Sequence, residues 1–133
     1  MFLTIDKFKR RVEELGERRY FAHQCLAPFT SMEGTLPEDE SYHELPEKIE
    51  GPDFGINDSF VGRDRYLWLE KTVKIPEAQE GCEVAGLFNF GETGGGFNSG
   101  FESLLYVDGH PYQGVDTYHN EVIFRGQEGK EVT

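Results

Sequence analysis

The stretch from Glu102 to Phe124 constrains this chain more than any other. Leu104, Leu105, Tyr106 and Val107 form one apolar, strand-prone run, and Val122, Ile123 and Phe124 form a second. Asp108-Gly109, Pro111 and Gly114 lie between them. Asp-Gly favours a tight turn, because glycine takes positive φ without steric cost. The segment reads as two strands around a tight connection, and it sets an all-β expectation for the second half of the chain.

Composition agrees with that expectation. At 133 residues the chain suits one domain with a single modest core. Eleven Phe, six Tyr, one Trp, sixteen Gly and six Pro favour a β body rich in turns over a helical bundle. A net charge of −12 argues against nucleic acid as a partner, since its backbone demands clustered Lys and Arg. Cys25 and Cys82 have neither disulfide-framework nor zinc-site spacing and read as two buried free thiols. Met1 is followed by Asp6, Lys7, Lys9 and Arg10, with no apolar signal-peptide core. No apolar run reaches the ~20 residues of a membrane span. A cytoplasmic location and no membrane partner are the expectations.

Three regions follow in order. Residues 1–26 hold an N-terminal helix, expected from Thr4 to Gln24, with Ile5, Phe8, Val12 and Leu15 on one stripe. Thr4 is its expected cap, Asp6 suits its first turn, and Gly16 weakens its interior or ends it early. The plainer reading is an ordinary surface helix packed by this stripe, against the rival that it packs on another part of a larger protein or on a second subunit. Residues 27–65 form an acidic connection punctuated by Pro and Gly, with short strands at Ala22–Phe29 and Phe54–Val61. Residues 66–133 form a β-sandwich of four clear strands: Tyr66–Ile75, Cys82–Phe90, Phe101–Val107 and Glu121–Phe124. Leu67, Leu69, Val73 and Ile75 share one face of the first, with Lys71 the exception.

Chemistry-bearing patterns are sparse. The glycine-rich run Gly91–Gly100 lacks the Gly-Lys-Ser/Thr and the following helix of a phosphate loop, and reads as a wide loop between strands. Asp108, His110, Asp116 and His119 form the one cluster of metal-capable side chains. The favoured reading is that Asp116 and His119 hydrogen-bond the connection, with metal or sugar binding the rival. No catalytic residue and no metal ligand is assigned. Trp68, Tyr106, Tyr112 and Tyr118 are the candidate sugar-stacking rings, against the plainer reading that they cap the core.

Tyr66-Leu-Trp-Leu-Glu-Lys-Thr-Val-Lys-Ile-Pro76 resembles a strand of the N-terminal region of class II α-mannosidases, glycoside hydrolase family 38. So does the pattern Tyr106-Val-Asp-Gly109, Pro111, Gln113-Gly114, Asp116, His119. The resemblance runs from about Phe8 to Phe124. It implies a helix, a linker and a galactose-binding-like β-sandwich of jelly-roll type, placed before a catalytic domain. That domain's His-x-His-x-Asp signature is absent from these residues. The implied object is a non-catalytic N-terminal accessory domain, its sandwich truncated at the C-terminal end, with a loose tail or an edge open to pairing. Its implied partners are the catalytic domain of the same enzyme, a second copy in a homo-oligomer, and mannosides. The parent would cleave terminal α-mannosidic bonds with zinc held in the later domain, and no cofactor is implied for these residues. Two other readings stand beside it: an independent carbohydrate-binding module, and a self-sufficient metallohydrolase using His110, Asp116 and His119.

Overall fold

A computed structural model of the protein describes residues 2–34, 45–62, 65–91 and 101–133. Helix α1 spans Phe2–Glu17. It starts ahead of the expected cap Thr4, so Asp6 lies beyond the first turn and that turn holds no acidic residue. It ends just past Gly16, where the Arg18 and Arg19 amides bond the Leu15 and Gly16 carbonyls at 3.2 Å. Glycine gives up more backbone entropy in a helix than any other residue, and the chain leaves the helix there. The apolar stripe faces solvent: Ile5, Phe8, Val12 and Leu15 are between 53 and 70% exposed.

Nine strands follow: β1 Phe29–Gly34, β2 Asp53–Phe54, β3 Tyr66–Glu70, β4 Val73–Lys74, β5 Ala85–Leu87, β6 Glu102–Val107, β7 His110–Asp116, β8 Glu121–Ile123 and β9 Glu131–Val132. All pair antiparallel, in a three-stranded sheet β2-β1-β3 and three two-stranded ladders, β4–β9, β5–β8 and β6–β7. The fold is mainly β, in small sheets preceded by one short helix.

Four expectations change. The strand expected over Tyr66–Ile75 breaks at Lys71-Thr72, and the chain changes sheets there. Lys71, the charged exception on the apolar face, donates instead to the Pro28 carbonyl at 2.8 Å. The boundary expected at residue 66 cuts through a sheet, because β3 pairs along the whole of β1, from Thr30↔Glu70 to Gly34↔Tyr66. The connection after Gly109 is itself a strand. Asp108 and Gly109 both take positive φ, 50° and 78°, which makes a two-residue turn whose twist suits a hairpin, so β7 folds straight back on β6. A register shift at Leu105/Tyr106 lets Pro111, which has no amide hydrogen, sit opposite Tyr106. Cys25 and Cys82, expected to be buried, are both exposed and free. Cys25 lies in the irregular segment after α1, and Cys82 sits in a turn whose amide bonds the Gln79 carbonyl at 2.9 Å, ahead of the shortened strand β5. The Gly91–Gly100 loop and the middle of the acidic connection fall mostly on residues 92–100 and 35–44, outside the described residues.

One core gathers the ladders. Ile75, Phe88, Val107, Val115, Val122, Phe124 and Val132 are buried together, with Leu26, Val73, Val84, Phe101 and Leu105 packed around them. Val84, Gly86 and Phe88 lie on the core side of this stretch, while Leu87 and Phe90 are about half exposed (48% and 45%). In place of a loose tail, the last residues close the core. The Ile75 amide bonds the Lys130 carbonyl at 2.8 Å, the Gly129 amide returns to the Ile75 carbonyl at 2.9 Å, and Val132 is buried. Asp108 and Thr133 exchange two bonds, from the Asp108 amide at 2.7 Å and from the Thr133 amide to Asp108 Oδ1 at 3.0 Å. The β6–β7 turn is thereby fixed to the end of the sheet. Among the described residues, no helix is long and apolar enough to cross a membrane.

Val122 is fully buried and Val12 is half exposed. Val122→Ala should cost about 2 kcal/mol of unfolding free energy through lost burial and the cavity left behind. Val12→Ala should stay within about 0.5 kcal/mol. Urea-unfolding midpoints of the two variants check this.

Candidate functional site: the aromatic seam and the ends of the hairpin

Strand alternation puts Tyr66 and Trp68 on the same face of β3. That face meets β6. The Trp68 ring lies 6.2 Å from Tyr106 at 57° and 6.3 Å from Tyr66, edge-on at 83°. All three rings are half-buried. They form a seam between the three-stranded sheet and the hairpin. Mutually tilted rings of this kind hold two sheets together by edge-to-face contacts; a sugar platform needs ring faces open to solvent.

Of the four candidate rings, the structure brings Trp68 and Tyr106 together and puts the others elsewhere. Tyr112 stacks on Phe124 at 5.9 Å and 23°, and its hydroxyl donates to the Ile123 carbonyl at 2.9 Å. Tyr118 is 70% exposed on the turn after β7. Tyr66 is the ring that sequence reasoning left out of the candidate set, although its i−2 spacing from Trp68 on an alternating strand was legible. Gly34 is the other omission. It pairs with Tyr66, whose ring lies across it so closely that a Cβ at this position would run into the ring.

The expected metal-capable cluster divides. His110 starts β7 and Asp116 ends it, about 20 Å away along an extended strand. Asp108 is committed to Thr133 at the turn. At the other end, Asp116 Oδ1 accepts the Tyr118 amide at 2.7 Å and the His119 amide at 2.8 Å, and the His119 ring Nδ1 lies 3.0 Å from Oδ2. Hydrogen bonding to His119 holds the Asp116 carboxyl below the usual carboxylate range, and the two amides act in the same direction. This is a turn-capping arrangement. Among the described residues, no group of three or more His, Cys, Asp or Glu side chains could hold a metal ion. The four residues do not make a zinc site.

A second polar constellation had no sequence signal. Glu121 on β8 accepts Arg19 Nη2 through Oε1 at 2.8 Å and the Tyr20 hydroxyl through Oε2. Its backbone carbonyl accepts Gln113 Nε2 at 2.9 Å. Hydrogen bonding to this carboxylate raises the Tyr20 pKa above its ordinary value. The clip fastens the exit of α1 to the body. A comparable clip spans the first sheet: Arg65 donates from Nε and Nη2 to the two Glu33 oxygens at 2.6 and 2.7 Å, and from Nη1 to the Val61 carbonyl at 2.6 Å. This bidentate pair lowers Glu33 and raises Arg65.

Comparison of the chain with protein-family models, curated proteins and solved structures returns no match.

Two outcomes test the geometry. Gly34→Ala should push the Tyr66 ring off β1 and shift the emission of Trp68, the only tryptophan; unchanged fluorescence would contradict the seam. Asp116 has a depressed folded pKa, so its capping contributes stability above the ordinary carboxylate pKa near 4 and loses it as pH falls through the folded value. Asp116→Ala should unfold more readily than the parent chain at pH 7, and the gap should narrow steadily below about pH 4.

Proposed function

We propose that this chain is a non-catalytic accessory module of a family-38 α-mannosidase, an N-terminal helix followed by a galactose-binding-like sandwich of jelly-roll type. Its work is attachment: α1 and the faces of the small sheets pack on the catalytic domain or on another subunit. The parent enzyme hydrolyses terminal α-mannosidic bonds, and zinc belongs to its catalytic domain.

The observation that carries the reading is the outward-facing apolar stripe of α1. The apolar stripe of α1 is exposed, although α1 is fastened to the body at Glu121. A helix that keeps its greasy side outward is built to meet another surface. Among the described residues of the body, Asp116 and His119 cap a turn, Glu33 and Arg65 clip a sheet, and Trp68 and Tyr106 fill the seam. The order of parts, a helix and then a β body centred on the Asp108-Gly109 hairpin, agrees with what the resemblance implies.

The rival reading is an independent sugar-binding module, for which Trp68, Tyr106, Tyr112 and Tyr118 are the candidate rings. Purified chain with added zinc should not hydrolyse an aryl α-mannoside, and turnover above background would sink the accessory reading. Calorimetry with mannose, galactose and short mannosides should give only heats of dilution. A saturable heat that Trp68→Ala abolishes would transfer the assignment to the binding module.

A further inference from the structure

We infer that the surface covered by α1 belongs to a second copy of this chain, and that two copies exchange their helices reciprocally about a twofold axis. The inference rests on the reading of α1 as a docking element and names its partner.

Charge selects the partner. Residues 1–20 carry six Lys or Arg against four Asp or Glu, a net +2; the whole chain is at −12, so the remainder is at −14. The cations are also placed at the contact. At about 100° per residue, Lys9 and Arg11 fall on the two borders of the Ile5, Phe8, Val12, Leu15 stripe. Asp6, Glu13, Glu14 and Glu17 fall toward the opposite side. The matching surface is apolar with an acidic border. Pairing two α1 helices stripe to stripe would bring like-charged borders together, Lys9 near Lys9 and Arg11 near Arg11, which is unfavourable. An anionic membrane would meet the basic border but would repel the strongly acidic body behind it.

The body carries a surface of the required kind. On the outward face of the hairpin, Leu104 is 51% exposed and pairs with Gly114, beside which a Cβ would meet only open space. The next pair along is Glu102 with Asp116, so carboxylates border this apolar spot. The arm leaves its own body at Glu121 on β8, next to this hairpin, where Gln113 of β7 bonds the Glu121 carbonyl. Origin and acceptor both belong to the β6–β7–β8 part of the body, so each copy can offer an acceptor to the other's arm, as a twofold exchange requires. One helix of 16 residues, about 24 Å long and about 10 Å across, covers too little for a stable contact by itself. Two exchanged arms double the area.

Light scattering on the full chain at low salt should give twice the chain mass, falling toward the monomer as salt rises. Phe8→Lys with Val12→Lys, and separately Leu104→Lys, should each weaken the dimer by at least about tenfold. Both change exposed side chains, and unchanged circular dichroism confirms folding. Lys9→Glu with Arg11→Glu should weaken it as well. A wild-type chain that stays monomeric at low salt overturns the inference. So does a dimer lost with Phe8→Lys and Val12→Lys but indifferent to Leu104→Lys, which would mean helix-on-helix pairing. Flotation of a monomeric chain with anionic vesicles would assign the stripe to lipid instead. None of these results bears on the hydrolysis assay, so a failure here is separable from a failure of the accessory reading.

Discussion

The body from β4 onward depends on one shared core, because none of its ladders is large enough to stand alone. β4–β9 joins two residue pairs and β5–β8 three, and an isolated two-stranded ribbon is at best marginal in water. Val122 of β8, Phe124 just after it, Val107 and Val115 of the hairpin and Val132 of β9 come from three short pieces and meet in one cluster. Burial therefore supplies the cooperativity that hydrogen-bonded ladders of this size lack. The hairpin is the largest part, and its turn is secured to the chain's last residue by the Asp108–Thr133 exchange.

Much of this was legible in the residues. Apolar, strand-prone runs located β6 and β8, and Asp108-Gly109 announced the hairpin turn. The apolar stripe located α1, but the helix stops just past Gly16, well short of the expected Gln24. Other features were hidden for physical reasons. A strand with apolar residues on both faces reads as continuous, so the change of sheets at Lys71-Thr72 shows only as one misplaced charge. β1 is short and polar in its middle, and it becomes a strand because β3 pairs along it; propensity alone would not put it there. β7 contains Pro111 and Gly114, both poor strand residues, and it forms because the turn before it dictates register.

The candidate site was less legible than the fold. Four rings were candidates for stacking on a sugar or capping the core, and the structure gives two of them to a seam, one to a stack on Phe124 and one to a turn. Sequence lists aromatic residues without the direction of their faces, and that direction separates a platform from a packing contact. The Arg19–Glu121 and Arg65–Glu33 clips joined residues 102 and 32 positions apart. In a chain with twenty-five acidic residues no such pairing can be singled out beforehand.

The β4–β9 ladder has a kinetic consequence. Thr72 and Thr133, bonded through their hydroxyls, lie 61 positions apart in the chain. A long loop must close before that contact rewards its entropy cost, which slows folding. During synthesis Val73 and Ile75 lie without their partner strand until β9 has been made.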